Sequence, residues 1–415
     1  MAAAYPIRYK HNAWVFIGAQ SLSFIASVAI PVIISFALLD AHYSGYVVGK
    51  VLAITDLPFV FLLLFGGVLA DKFKRRKIAM TTEAVRAIIA FAIAVVLREP
   101  HFTPLDLEIL GAASGVARAF FAPTLTGMTS EIFEVSALNS ANSFREGARS
   151  LGNLAGPILG GVGVAVIGAS GAMWIIAGFY LASSILLFSL STQDVSNQSS
   201  PDRDEHQKPV SVIRDLLHGF NEVKSQAWCW VVIAVYTAMH LFVFGPMLVL
   251  GPLIAKLYLG GPAIWGMILA SDGIGGIVGA ALALRIRFTR PLWTSSIIVL
   301  GGAPALFLLA NHYAPYLIAI SLGFFGAGLS FIGVNWETAL QHYFPPESIS
   351  RVSAFDLFGS VALFPLGQAL GGVSTKYMSV GNAIVISGII LIALSLVLLF
   401  SRAVFNLQIP NRSPS

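Results

Sequence analysis

Ten residues, GNLAGPILGG from Gly152 to Gly161, stand inside an apolar run of membrane-spanning length. Glycine and proline are the two poorest helix formers. Four glycines and a proline in one such helix therefore need a reason other than helix stability. Gly152, Gly156 and Gly160 recur every four residues and form one smooth stripe, which lets another backbone approach closely. Pro157 removes a backbone donor and kinks the helix. Ala263, Gly266, Ala270 and Gly273 offer a second small-residue stripe. The two stripes are expected to pack together across the middle of the molecule. Gly152, Gly156, Pro157, Gly160 and Gly161 would then seal its outer side.

Composition sets the class. Of 415 residues, 56% are hydrophobic and 11% charged, against roughly 25% charged in a soluble domain. Apolar runs of about 20 residues recur along the whole chain, as in a polytopic membrane protein. Cys229 is the sole cysteine, which excludes an intrachain disulfide and a cysteine metal cluster. The N-terminus, Met1 to Asn12, is expected to run into a retained first span and not a cleaved signal.

Twelve spans can be drawn, at about 13–39, 44–70, 78–97, 105–130, 139–167, 172–192, 227–254, 262–284, 292–310, 314–341, 352–376 and 382–401. Alternate loops differ sharply in charge. One side gathers Arg8, Lys10, the Lys72–Lys77 cluster, Arg203, Arg285, Arg290, Arg351 and Arg402; the other holds only Arg98, Lys256 and Lys376. The positive-inside rule puts both termini in the cytoplasm of an integral plasma-membrane protein. The net charge of +5 is thus topological, and no nucleic acid is expected as a partner.

The expected organisation is all-α, with two pseudo-symmetric six-helix bundles: residues 1–192 and 227–415, joined by a cytoplasmic linker at 193–226. The linker begins with a polar stretch and ends in an amphipathic helix with Val212, Leu216, Phe220 and Val223 on one face. A shift of 211 residues carries Phe133 onto Phe344, Phe144 onto Phe355, Gly156 onto Gly367, and Gly160-Gly161 onto Gly371-Gly372. That pattern suggests a duplicated bundle with a pathway between the halves.

GGVLADKFKRRK, Gly66 to Lys77, joins the second and third spans. Its cations anchor the loop. Its acid, Asp71, is not required by topology, and it can face the positive end of a neighbouring helix as an ionic latch. The stretch resembles the G-x-L-A-D-R-x-G-R-[RK] signature of the major facilitator superfamily, with Lys72 for arginine and Lys74 for the second glycine. Gly152, Gly156, Pro157, Gly160 and Gly161 resemble that family's antiporter signature, G-x-x-x-G-P-x-x-G-G. Trp336 to Gly372 is similar to the branch that holds macrolide and enterobactin exporters. The resemblance implies a cytoplasmic gate of Gly67, Asp71, Arg75 and Arg76, with Asp71 meeting Arg351 and Asp356 at the end of the eleventh span. The second half lacks the acid: Ala283 stands near its place.

A charge at mid-membrane is costly unless paired or wet, which makes each one a functional candidate. Arg118 falls near the middle of the fourth span, Asp272 of the eighth and His240 of the seventh. Asp56 lies in the outer half of the second span, about 22 Å from Asp71 at 1.5 Å per residue. Burial disfavours the charged form of a carboxylate, which suits Asp56 and Asp272 to carry a proton. Arg118 and Arg149 suit an anionic group, and Glu337 lies in the cytoplasmic third of the tenth span. Glu83 and Arg86 are one turn apart and pair with each other. Lys50 snorkels to the outer surface.

No P-loop, HExxH, zinc spacing or GxSxG elbow occurs. ATP-driven and hydrolytic chemistry are not expected, and no cofactor or metal is implied. The reading is a monomeric secondary transporter, a proton-coupled antiporter that exports a lipophilic drug, natural product or siderophore by alternating access. An importer or lipid transporter on the same fold, and a non-transporting sensor or scaffold, remain as alternatives.

Overall fold

A computed structural model describes residues 7–70, 74–99, 101–133, 138–190, 220–286 and 288–408. Asp71, most of the linker and its Val212 and Leu216 lie outside the described residues. The described residues form helices and no strand. In chain order they are α1 (Ile7–Asp40), α2 (Gly45–Ala70), α3 (Arg75–Val96), α4 (Pro104–Ile132) and α5 (Leu138–Ser189). Then come α6 (Ala227–Met239), α7 (Gly245–Ile254), α8 (Pro262–Arg285), α9 (Pro291–Leu300) and α10 (Ala303–Ala310). The last are α11 (Pro315–Tyr343), α12 (Pro346–Ala362), α13 (Phe364–Ser374), α14 (Val380–Phe400) and α15 (Arg402–Phe405). Ten helical stretches among the described residues are long and apolar enough to cross a membrane.

Local chemistry fixes the ends and breaks. The 52-residue α5 breaks at Gly168, whose φ of 75° and ψ of 168° suit glycine alone. Ser170 Oγ ties that break to α3 by donating to Ala94 O at 2.7 Å. A capping box starts α4: Thr103 N–H donates to Asp106 Oδ2 at 3.0 Å, and Asp106 N–H to Thr103 Oγ1 at 3.4 Å. Between α6 and α7 the chain makes one π-helical turn, His240–Phe244. Pro246 has no N–H to give back along the helix, and the Phe242 carbonyl instead accepts from Ser387 Oγ of α14 at 2.8 Å. The expected ninth span is interrupted at Gly301-Gly302, and the eleventh at Leu363.

One apolar core runs through both halves, joining Ile34, Leu38 and Val48 to Leu250, Ile254 and Trp265. Phe61, Ile88, Ile185 and Phe400 face outward, as they would toward lipid. The end of the expected linker helix docks on the second half: Phe220 packs 5.5 Å from the Phe355 ring and 5.9 Å from that of Trp230, and Val223 is buried.

The residues superposed by the 211-residue shift occupy matching places. A methyl added at Gly156 would stand 2.9 Å from Ile25 O of α1, and one at Gly367 2.6 Å from His240 O of the π turn. Gly160 lies against Ala29 of α1, and Gly371 against Pro246 of α7. Gly161 and Gly372 face the other half: their added methyls would meet Gly266 Cα at 2.9 Å and Gly49 Cα at 3.0 Å. Two seams thus join the halves, α5 on α8 and α13 on α2. Both lie toward the end of the bundle that carries the Asp40–Gly45 and Gly260–Gly261 turns, the distal end; Ile7 and Gln408 lie toward the opposite, terminal end.

This corrects the expected stripe packing. Gly152, Gly156 and Gly160 turn to α1, where they meet Phe24, Ile25, Val28 and Ala29. The face that meets α8 is the neighbouring one: Gly273 approaches Asn153 O, and Gly266 approaches Pro157 and Gly161. Each residue advances about 100° around a helix, so the next stripe along points to a different neighbour.

Candidate functional site at the seam between the halves

Helix α4 reaches α2 through Gly111 and Gly115, both of which lie against Thr55. That close approach brings Arg118 to the next residue on α2. Arg118 Nη2 donates to Asp56 Oδ1 at 2.6 Å, and its guanidinium lies 4.1 Å from the centroid of the Phe59 ring. The other carboxylate oxygen is taken from across the seam. Gln368 of α13, fully buried, donates from Nε2 to Asp56 Oδ2 at 2.8 Å. Asp56 is therefore held by both halves at once, with its charge balanced by Arg118.

Beside this group lies a cavity of about 30 Å³, lined among others by Ser27, Thr55, Asp56, Ser114 and Arg118 and by Arg86 on its far side. That is room for about one water. Arg86 carries a second buried network. It donates to Glu83 Oε1 at 2.9 Å, to Ser27 Oγ at 2.7 Å and to Tyr180 Oη at 2.5 Å, and it lies 4.1 Å from the Tyr180 ring centroid. Ser23 donates to the same Glu83 oxygen at 3.1 Å. Four helices, α1, α3, α4 and the second leg of α5, thus close on one ion pair, with Phe121 on its remaining side.

The other candidates are spread out. Asp272 of α8 faces Gly326 of α11, where a methyl would stand 2.6 Å from its Oδ1. No hydrogen bond or ion pair joins it to another described side chain. His240 shares a hydrogen bond of 2.8 Å between Nδ1 and Tyr236 O and packs on Phe244 and Phe364. Arg149 and Glu337 are exposed on α5 and α11, and the like charge of Glu146 bears on Glu337. The structure does not bring any of these to Asp56.

The expected cytoplasmic gate is only partly described. Gly67 lies in α2 and Arg75 opens α3. Arg76 donates to Leu187 O at 3.2 Å and to Phe188 O, capping the end of α5 inside its own half. Asp356 accepts from Trp336 Nε1 at 2.9 Å and from Ser360 Oγ at 3.4 Å. Its meeting with Asp71, and the side chain of Arg351, lie outside the described residues. Lys50 does not merely snorkel: it pairs with the buried Glu108 at 3.0 Å, because α4 places a carboxylate beside it at the distal end. A further ion pair, Lys256 to Asp40, joins the two halves at that same end.

Sequence reading missed Gln368. Its signal was present: an amide inside an apolar run must find a partner, and here only another helix supplies one.

Comparison with known proteins agrees with this architecture. The sequence profile of the Major Facilitator Superfamily matches residues 15–362. The multidrug efflux pump Tap of Mycolicibacterium fortuitum is 25% identical over 331 residues, covering 76% of this chain and 77% of its own. Macrolide efflux protein A of Streptococcus pyogenes is 22% identical over 388 residues, covering 91% and 93%. The solved nucleoside transporter NupG superposes with a TM-score of 0.66 at 14% identity, over 93% of this chain and 97% of its own. A bacterial homologue of the human lysosomal transporter Spinster superposes at 0.67 and 13% identity, over 97% of each chain.

Proposed function

The chain belongs to the Major Facilitator Superfamily and is a membrane transporter, and we propose that it exports a small lipophilic compound in exchange for protons by alternating access. The efflux pumps among its relatives support the direction. In this reading the chain is a monomer with twelve spans. The two legs of α5 about Gly168 count separately, and α4 is a further span. Residues 1–192 and 227–415 are the moving halves, the terminal end is cytoplasmic, and the membrane is the plasma membrane.

The observation that carries the proposal is the double hold on Asp56. With Asp56 ionised, Arg118 and Gln368 are both engaged, and the distal seam is latched. A proton on Asp56 would cancel its charge, loosen the ion pair with Arg118 and turn the Gln368 contact from a charge-assisted hydrogen bond into a weaker neutral one. Arg118 keeps a contact on the Phe59 ring face while its partner is neutral. Proton occupancy of Asp56 is thereby coupled to the state of the distal seam, and a coupling of proton occupancy to conformation is what exchange requires. Asp272, which has no hydrogen-bond or ion-pair partner among the described side chains, is the second proton carrier of the scheme.

The test is accumulation of a panel of lipophilic compounds in cells with and without the protein, with and without a proton uncoupler. The protein should lower accumulation and the uncoupler should restore it. Equal accumulation in all four conditions across the panel sinks the exporter reading. Asp272→Asn should abolish coupling; full proton-driven transport by that variant removes Asp272 from the scheme.

A further inference from the structure

A cleft of about 310 Å³ runs along the outside of the seam that Asp56 and Gln368 hold. Its α2 wall includes Tyr46, Lys50, Ile54 and Leu57, and its α13 wall Leu366 and Ala369. Tyr46, Lys50 and Ile54 follow one another at four-residue spacing and so share one face of α2. Gly49 and Asp56 occupy the adjoining face, turned to α13. The cleft opens sideways, because Leu57 and Leu366 are 39% and 52% exposed on its rim. In a membrane-spanning protein that opening meets hydrocarbon.

The distal end of the cleft is cationic. Lys50 is about half exposed, and Glu108, buried behind it, steadies it without covering it. Lys376 lies two residues beyond the end of α13, with its ammonium 3.3 Å from the centroid of the Tyr46 ring. Tyr46 itself lines the cleft. Two ammonium groups, one from each half, therefore stand over an apolar slot, at the level where both helices leave the membrane. Those are the two chemistries of a phospholipid, in the right order along the membrane normal.

We propose that this cleft binds an anionic phospholipid of the distal leaflet, with one acyl chain in the slot and the phosphate between Lys50 and Lys376. A zwitterionic headgroup brings its own cation to the same place and is held less well. The walls come from opposite halves, so the lipid touches both only while α2 and α13 are together. Its binding therefore favours the distal-closed form. That consequence rests on the alternating-access reading; the binding itself does not.

The test uses the full chain in detergent micelles, with lipid retention read by native mass spectrometry and no transport measured. Phosphatidylglycerol and phosphatidylcholine are the two lipids offered. The wild type should retain one phosphatidylglycerol with a preference of about tenfold over phosphatidylcholine. Lys50→Gln with Lys376→Gln should erase the preference. Ala369→Trp fills the slot, keeps both lysines and should lose the bound lipid; Ile54→Trp provides the same reading from the other wall if the first variant fails to fold. Undiminished retention in a folded slot-filled variant, or an unchanged preference in the double lysine variant, overturns the proposal. Because export is not read, a failed exporter reading leaves this result standing, and the reverse also holds.

Discussion

Gln368 Nε2 stands 2.8 Å from Asp56 Oδ2, and this hydrogen bond crosses from one half of the molecule to the other. It differs in kind from the glycine contacts of the two seams. Gly161 on Gly266 and Gly372 on Gly49 are close approaches of backbone that any closed state of this shape provides. The Gln368 contact is made to a carboxylate, and in the proposed scheme its strength follows the charge of that group. In that scheme the seam of α2 with α13 carries a chemical latch, whereas the glycine contacts at both seams are steric.

Gln368→Leu keeps the bulk and removes the donor. A hydrogen bond to a charged group contributes about 1.5–3 kcal/mol, so the ratio of distal-closed to distal-open molecules should fall by about tenfold or more. Fluorophores at His42 and His312, on distal turns of opposite halves, should report a longer mean separation by single-molecule energy transfer. An unchanged distance distribution at every pH would show that the amide does not latch the seam.

Asp56→Asn leaves Arg118 with no counter-charge in the membrane, where an unbalanced cation is costly. Proton-driven uptake into everted vesicles, the counterpart of export from cells, should be lost, and thermal stability should fall. The double variant Asp56→Asn with Arg118→Gln should recover stability without recovering transport. Recovery of both, or neither loss in the single variant, counts against Asp56 as the coupling group.

Two adjacent glycines should behave differently. Gly161→Val places its side chain against Gly266 Cα across the seam, and so should block distal closure while leaving the first half folded. Gly160→Val drives into Ala29 and Val32 of α1 within that half. Overpacking of this kind costs about 1–3 kcal/mol, and here it should appear as a lower melting temperature. Disulfide trapping between cysteines at Asn153 and Gly273 reads closure, and the melting curve reads stability. If both variants lose the same property, the two faces of α5 have been assigned wrongly.

Much of this was legible before the fold. Composition and loop charge gave the membrane class, and the 211-residue shift paired glycines that sit in matching places. Arg118 and Asp56 stood out because intramembrane charge is rare. What failed was direction: the stripe of Gly152, Gly156 and Gly160 is a clear small-residue face, but periodicity does not name the helix it meets. The cross-seam partner of Asp56, Gln368, lies 312 residues away, and no local spacing encodes a contact that only the packing of two halves creates.

Lys256 and Asp40 form the outermost link between the halves, from the end of α1 to the π-helical turn after α7. Asp40 is exposed and Lys256 partly exposed, and solvent-exposed pairs contribute about 0–1 kcal/mol. Lys256→Ala should therefore shift the distal equilibrium only slightly, and added salt should mimic the variant. The swapped pair Lys256→Asp with Asp40→Lys should restore wild-type behaviour. A large effect that salt does not reproduce would place the role of Lys256 elsewhere.

The Glu83–Arg86 pair should prove structural. Both side chains are almost fully buried, and each of the oxygens and nitrogens that bond belongs to a network inside one half. Removing one partner of a buried pair costs about 3–5 kcal/mol, whereas replacing both with apolar groups is often nearly neutral. Glu83→Gln should thus lower the melting temperature sharply, because Arg86 keeps its charge against Tyr180 and Phe121 with no carboxylate beside it. Glu83→Leu with Arg86→Met should recover most of that loss and should still export. The cavity that adjoins Arg86 also adjoins Asp56, so the outcome discriminates. A stable double variant that no longer couples efflux to protons would make this pair part of the proton path.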